Sequence, residues 1–380
     1  MQIAYDIFKS SGFSGNRTYT IELVNALADQ FPNHRYKLLT NWGYKKKIDF
    51  PGNHTDSIQI QQLIPNPLLL GKVLRKPVKS FSNSLLRAKA KRCDLFHATN
   101  PTHFPIGIRN GVVTLHDLIA LRNEPWTQES SKQFYHQHTG AILEEAKAIC
   151  CVSEYTAHDA SSRFPGIKNK IFVTPLGSNP LFQPLGKDSE LLEQFRLPQK
   201  PYILYVGEIQ PRKNIHSILT SYDQLPRHIR EACELILIGS IKSRSNKEYF
   251  ADSLNALQSQ QGIHHLQNIS NHDLARFYSN ALLFIFPSFF EGFGLPVLEA
   301  MSCGCPVITS NTTSLKEVAD DAALTVNPEE PEDILSALTT MLENESLRSS
   351  MAVKGIDRSA QFSWNVTVAK TMDAYRHALA

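Results

Sequence analysis

The chain has 380 residues, 42% of them hydrophobic and 20% charged, which is too long for one ordinary core and reads as two globular domains rather than a disordered chain. A formal net charge of +3 is too small to make nucleic-acid binding a property of the whole protein, so any electropositive function is local and no nucleic-acid partner is expected. Six cysteines, Cys93, Cys150, Cys151, Cys233, Cys303 and Cys305, form no Cys-x-x-Cys element and read as free thiols of a reducing compartment rather than a disulfide framework or zinc site.

The start, Met1-Gln-Ile-Ala-Tyr-Asp, reads as a first strand without the basic start and long apolar run of a secretory signal. No stretch has the length to span a bilayer, and a cytoplasmic location is expected. A glycine turn, Ser11-Gly-Phe-Ser-Gly-Asn-Arg-Thr-Tyr, follows and opens a helix near Thr18. Such a turn lets backbone approach a ligand closely, although alone it is most often structural. From Ser57 to Cys93 there is no acidic residue but eight basic ones, Lys72, Arg75, Lys76, Lys79, Arg87, Lys89, Lys91 and Arg92, interleaved with leucines. This is either a surface for anionic lipid, centred on Lys72, Arg75, Lys76 and Lys79, or two ordinary helices with solvated lysines. The first places the protein at the inner face of a membrane.

Strands are predicted at Gln2–Tyr5, Arg35–Leu39, Leu95–Ala98, Gly111–Thr114, Ala148–Val152 and Ile171–Thr174. A second series is Tyr202–Val206, Glu234–Ile238, Leu282–Phe286, Pro306–Thr309 and Ala323–Val326. Apolar strands alternating with helix-length segments predict an α/β, doubly wound architecture with parallel sheets covered on both faces. The series breaks through Pro175, Pro180, Pro184 and Gly186 and resumes after Pro198. Two Rossmann-like domains, 1–176 and 177–360, are therefore expected, with a closing segment 361–380. Ligands of open parallel sheets bind beyond the carboxyl ends of the strands, and with two such sheets a cleft between the domains is the expected active site.

In the first half, Val112-Val-Thr-Leu-His-Asp-Leu places His116 and Asp117 at a strand end. A lone histidine is usually a satisfied polar residue. In the second half, Tyr205-Val-Gly-Glu-Ile-Gln-Pro-Arg-Lys-Asn puts Arg212 and Lys213 just past a strand, forked and point charges suited to phosphate. The most informative stretch is Pro287-Ser-Phe-Phe-Glu-Gly-Phe-Gly-Leu-Pro-Val-Leu-Glu. It turns through Gly292 and Gly294 and enters a helix at Leu295, with Pro296 where a missing N–H costs little. Amides at that helix start can hold an anion or a sugar hydroxyl. Glu291 and Glu299 can accept hydrogen bonds from sugar hydroxyls without being near neighbours. Taken generically, the same pattern is an ordinary α/β turn with two solvated glutamates.

The whole string resembles the signature of family-4 glycosyltransferases of the GT-B fold, in which two glutamates flank seven residues, here Glu291 and Glu299. The resemblance runs almost continuously through the second half. It implies that Glu291 contacts the transferred sugar and Glu299 the ribose, with backbone contacts from Gly292, Phe293, Gly294 and Leu295. It places Arg212 and Lys213 on the diphosphate, Gly15 near a donor phosphate, and His116 at the transferred sugar. Many members carry arginine directly after the glycine, where this chain has Glu208. The terminal segment from Phe362-Ser-Trp resembles one that crosses back to the N-terminal domain.

The implied activity is retaining hexosyl transfer from a nucleotide diphosphate sugar, leaning to GDP-mannose, onto a glycan or lipid-linked glycan, as in cell-surface polysaccharide synthesis. Without an Asp-x-Asp pair no metal or other cofactor is expected, and Arg212, Lys213 and helix termini neutralise the diphosphate. Two enzyme alternatives are a GT-B phosphorylase and a nucleotide-sugar epimerase. A non-catalytic nucleotide-sugar or glycan-binding subunit is an alternative of another class. An NAD-dependent enzyme lacks its Gly-x-Gly-x-x-Gly turn after either leading strand.

Overall fold

The structure, a computed structural model, describes residues 1–7, 15–40, 57–62, 84–122, 124–241 and 262–380. The residues Lys72, Arg75, Lys76 and Lys79, on which the lipid-surface reading rests, lie outside the described residues. Thirteen strands are described. The first seven are β1 (Gln2–Asp6), β2 (Arg35–Thr40), β3 (Ile58–Gln62), β4 (Leu95–Ala98), β5 (Gly111–Leu115), β6 (Ala148–Cys151) and β7 (Ile171–Val173). They form one parallel sheet in the order β3-β2-β1-β4-β5-β6-β7. The other six are β8 (Tyr202–Val206), β9 (Glu234–Ile238), β10 (Ile263–Leu266), β11 (Leu283–Phe286), β12 (Val307–Ser310) and β13 (Leu324–Val326). They form a second parallel sheet in the order β10-β9-β8-β11-β12-β13.

The doubly wound α/β architecture expected from the sequence is what the chain adopts. Most interior strands read as largely apolar or β-branched runs because both faces are covered, and the polar exception inside β4, His97, is fully buried and hydrogen-bonded at both ring nitrogens. The pattern missed β3 and β10. Both are outer strands in the sheet order, and Ile58-Gln-Ile-Gln-Gln and Ile263-His-His-Leu alternate or mix polar with apolar residues, which weakens the apolar run that marks a strand.

The chain divides into two compact units, Met1–Gly177 with Ser363–Ala380, and Ser178–Phe362. The first unit is completed by the helix Trp364–Leu379, which packs on β4 to β7 and on the helix Gly15–Gln30. Where that helix begins, a Cβ on Gly177 would lie 2.2 Å from the backbone nitrogen of Trp364. Only glycine fits this approach of two chain segments. The Thr367 hydroxyl donates to the Pro175 carbonyl at 2.6 Å beside it.

Beneath the first sheet's interior strands runs a chain of polar groups with no solvent exposure. Tyr5 Oη and Tyr375 Oη are 2.8 Å apart, His97 Nδ1 is 2.7 Å from Tyr375 Oη, and His97 Nε2 is 2.7 Å from Thr114 Oγ1. Thr114 Oγ1 in turn meets Tyr19 Oη at 2.9 Å. Burial drives the His97 imidazole down to about 3, with the nearby His116 adding to the effect. His97 is therefore neutral, one ring nitrogen donating and the other accepting. Complete pairing is what allows these groups inside an apolar layer.

The six cysteines are free thiols, five of them buried. Among the described residues, no helix is long and apolar enough to cross a membrane.

Removing one hydroxyl from the buried chain tests it. Tyr375→Phe leaves Tyr5 and His97 each short of a partner, so the variant should lose about 1–3 kcal/mol. A shift of the urea midpoint with an unchanged slope is the expected result.

Candidate active site

In the second sheet the strand order reverses between β8 and β11, because β8 leads to β9 on one side while β11 pairs on the other. Such switch points leave a crevice beyond the carboxyl ends of the strands. The residues singled out in the sequence arrive here from both directions.

After β8 the chain runs extended through Gln210, then makes a single 3₁₀ turn over Pro211–Lys213. It leaves that turn through Asn214, at φ 57° and ψ 37°. Asparagine is among the few residues that tolerate this left-handed conformation, and its Nδ2 donates to Pro328 O at 2.8 Å. The tight turn delivers Arg212 and Lys213 to one place. After β11 the chain passes Ser288, reaches Glu291 and enters the helix Leu295–Ser302 through Gly294, at φ 114°. A Cβ on Gly294 would lie 2.6 Å from Leu315 Cδ2, so both space and backbone require glycine.

Both cations meet Glu291 at the same oxygen. Arg212 Nη1 is 2.9 Å from Glu291 Oε1, and Lys213 Nζ donates to that atom as well. Ser288, fully buried, adds a hydrogen bond to Oε1 at 2.8 Å. Arg212 also donates to the Phe290 carbonyl, and the Lys213 ammonium stands 4.7 Å over the Phe286 ring. The carboxylate's backbone is fixed from the next strand's loop. Glu291 N–H donates to Thr313 Oγ1 at 3.3 Å, and Ser314 Oγ donates to the carbonyls of Glu291 and Phe293, both at 2.9 Å.

Burial by itself would raise the Glu291 carboxyl, but Arg212, Lys213 and the Lys213 and Ser288 hydrogen bonds override it and hold the group down at about 2. Burial, then the like charge of Arg212, lowers the Lys213 ammonium to about 8 against the pull of Glu291 and Glu208. All three groups are thus charged at neutral pH. Glu208, standing where arginine is usual in the resembled pattern, contributes a carboxylate that helps keep Lys213 protonated.

The other glutamate is placed differently. Glu299 lies on the helix Leu295–Ser302, partly exposed, and accepts from Tyr278 Oη at 3.3 Å. Burial dominates and raises its carboxyl to about 7, the Tyr278 bond opposing only in part. Of the residues between the glutamates, Gly292 and Leu295 are half-buried. The Phe293 ring is buried edge-on against Phe362, 5.8 Å between centroids, so its side chain is a packing element.

His116 and Gly15 belong to the first unit. Gly15 is the first residue of the helix Gly15–Gln30. His116 follows β5, and its Nε2 lies 2.9 Å from the Thr99 carbonyl. A carbonyl only accepts, so Nε2 carries the proton and Nδ1 is the acceptor. Burial lowers this imidazole to about 4, the Thr99 bond opposing, so it is neutral. Tyr19 packs edge-on against its ring at 4.8 Å.

Sequence reasoning missed Asp6 and His103 at the same edge. Asp6 ends β1 with its side chain fully buried, accepts the Thr99 N–H at 3.0 Å through Oδ1, and binds His103 Nδ1 through Oδ2. An acidic residue closing an otherwise apolar first strand was the available signal. Among the described residues, no group of three His, Cys, Asp or Glu side chains is disposed to hold a metal ion.

The raised Glu299 carboxyl links stability to pH. Below about pH 4 it is protonated folded or unfolded, whereas above about pH 7 the folded protein must hold a carboxylate partly withdrawn from water. Its contribution is therefore present at low pH and lost as pH rises through about 7. Glu299→Gln stays neutral throughout, so it should melt with the wild type at pH 4 and several degrees higher at pH 8, a gain of at most about 3 kcal/mol. Equal differences at both pH values would contradict the raised carboxyl.

The model of glycosyl transferases group 1 matches residues 188–358, and that of glycosyltransferase family 4 matches residues 13–180. Over 373 residues the chain is 30% identical to O-antigen chain mannosyltransferase B of Escherichia coli, covering 96% of each protein. It is 28% identical over 275 residues to the serotype-specific mannosyltransferase WbdA of Escherichia coli, covering 70% of this chain and 33% of that one. Among solved structures, HepE of Anabaena in complex with UDP-glucose is similar with a TM-score of 0.78 at 17% identity, over 98% of this chain and 99% of that one. Sucrose-phosphate synthase from Thermosynechococcus elongatus is similar with a TM-score of 0.77 at 22% identity, over 99% and 98%. With the motif, the two sheets and near-complete coverage by a relative in agreement, the chain belongs to the group 1, family-4 glycosyltransferases of the GT-B fold.

Proposed function

We propose that this glycosyltransferase transfers mannose from GDP-mannose, with retention of configuration and without a metal, to a glycan or lipid-linked glycan of a cell-surface polysaccharide. The observation that carries the reading is the convergence of Arg212, Lys213 and Glu291 at the switch point of the second sheet. Two fixed cations suit a diphosphate, and a carboxylate beside them suits the hydroxyls of the sugar it carries. The similarity to an O-antigen mannosyltransferase over nearly all of both chains supports mannose and a polysaccharide acceptor. HepE, solved with UDP-glucose, supports a nucleotide sugar as the donor.

In this reading the acceptor oxygen bonds to the anomeric carbon on the face from which the diphosphate departs. The bond from that carbon to the phosphate oxygen breaks, and the acceptor's proton passes to the leaving phosphate. Negative charge grows on the diphosphate as the bond breaks, and Arg212 and Lys213, already fixed by Phe290, Phe286 and Glu291, face it without reorganising. Glu299 accepts from the ribose hydroxyls when ionised. His116, neutral with Nδ1 as acceptor, takes a hydroxyl of the sugar rather than a charge.

Four measurements test this. A panel of nucleotide sugars scored by donor turnover should single out GDP-mannose, with nucleotide release dependent on added acceptor; conversion of the donor to another nucleotide sugar without acceptor would point to an epimerase instead, and turnover only with phosphate to a phosphorylase. Lys213→Ala should lower kcat at saturating donor by at least about 100-fold, the scale of one lost charge-stabilising donor. Activity should persist in excess EDTA after dialysis, and proton NMR of the first product formed should show the anomeric configuration of the donor. Loss with EDTA that manganese or magnesium restores would defeat the metal-free reading.

A further inference from the structure

The two oxygens of Glu291 are used unequally. Lys213 and Ser288 donate to Oε1 and Arg212 forms an ion pair with the same oxygen, whereas among the described residues no donor reaches Oε2. The cations thus already hold an anion, and that anion presents its second oxygen for a further hydrogen bond. Three groups anchor Oε1, and Thr313 and Ser314 fix the backbone behind it, so the carboxylate does not swing clear of the cations without breaking several contacts. Its charge persists at neutral pH, because the cations hold the group well down.

Resting on the reading that Arg212 and Lys213 take the diphosphate, we propose that Glu291 makes the site prefer an intact sugar diphosphate over a free one. A sugar diphosphate brings hydroxyls, and Oε2 is an acceptor for one of them. A free diphosphate brings no hydroxyl there and an additional negative charge on its terminal phosphate, which must share the cations with the carboxylate at close range. The same carboxylate therefore attracts the substrate's sugar and repels the product. It acts as a specificity-determining group that limits product inhibition.

The test is calorimetric titration of inorganic pyrophosphate, GDP and GDP-mannose into wild type, Glu291→Gln, Lys213→Ala and the double variant. Glu291→Gln should bind pyrophosphate and GDP about tenfold tighter than wild type while binding GDP-mannose no tighter. The gain should disappear in the Lys213→Ala background, because the freed cation is what the phosphate uses. Glu291→Asp, which draws the charge back by one methylene and is a mild change for folding, should show a smaller gain in the same direction. Unchanged or weaker pyrophosphate binding in both Glu291 variants overturns the proposal. If Lys213→Ala instead binds GDP as wild type does, the diphosphate reading itself has failed, and that outcome is separate from the first.

Discussion

Everything at the carboxyl edge of the second sheet is arranged around one ionic group, Arg212–Glu291–Lys213, taken largely out of water. Removing ions from solvent costs several kcal/mol each, and mutual attraction offsets that only when the geometry is close and the remaining hydrogen-bonding capacity is met. Here Ser288 and the Phe290 carbonyl meet part of it, and the Phe286 ring lies under the ammonium. The backbone bends to keep this arrangement. Thr313, β-branched, sits at φ 54°, a conformation that costs of order 1–3 kcal/mol, and its hydroxyl is the acceptor for the Glu291 N–H. A strained threonine, a left-handed asparagine and an obligate glycine surround one carboxylate.

The two glutamates of the motif show how little the residue type decides. They are eight residues apart, one in the loop before and one within the first helix after β11, and they differ in charge behaviour. Cations pull the Glu291 carboxyl down, whereas around Glu299 burial prevails and only a tyrosine hydroxyl answers it. Near neutrality one is a fixed anion and the other is close to half-protonated. The donor site proposed here therefore has one permanently charged acceptor and one whose charge depends on its surroundings.

Most strands were legible because burial leaves a short apolar run bounded by turn residues. The outer strands β3 and β10 were not, since glutamines and histidines dilute their apolar run, whereas the outer strands β7 and β13 keep theirs. Arg212, Lys213, Glu291 and Glu299 were legible through a continuous string. Ser288, Thr313, Ser314 and Tyr278 were not, because what they do arises from strand order: β8 lies against β11, and only that adjacency brings residues near 213 to residues near 291. Asp6 and His103 escaped for the same reason, β1 pairing with β4 across a long intervening stretch. The tautomer of His116 is likewise set by a carbonyl seventeen residues away.

The first unit is built from two stretches far apart in the chain, and the hydroxyl of Tyr375 is bonded to that of Tyr5, 370 positions earlier. On the ribosome this has a definite order. By the time Tyr375 is made, all of Ser178–Phe362 has been synthesised, so the second unit can close while the first still lacks the helix that covers β4 to β7. During that interval the apolar floor of the leading sheet waits for its last layer, and it is then that a chaperone would find this nascent chain most receptive.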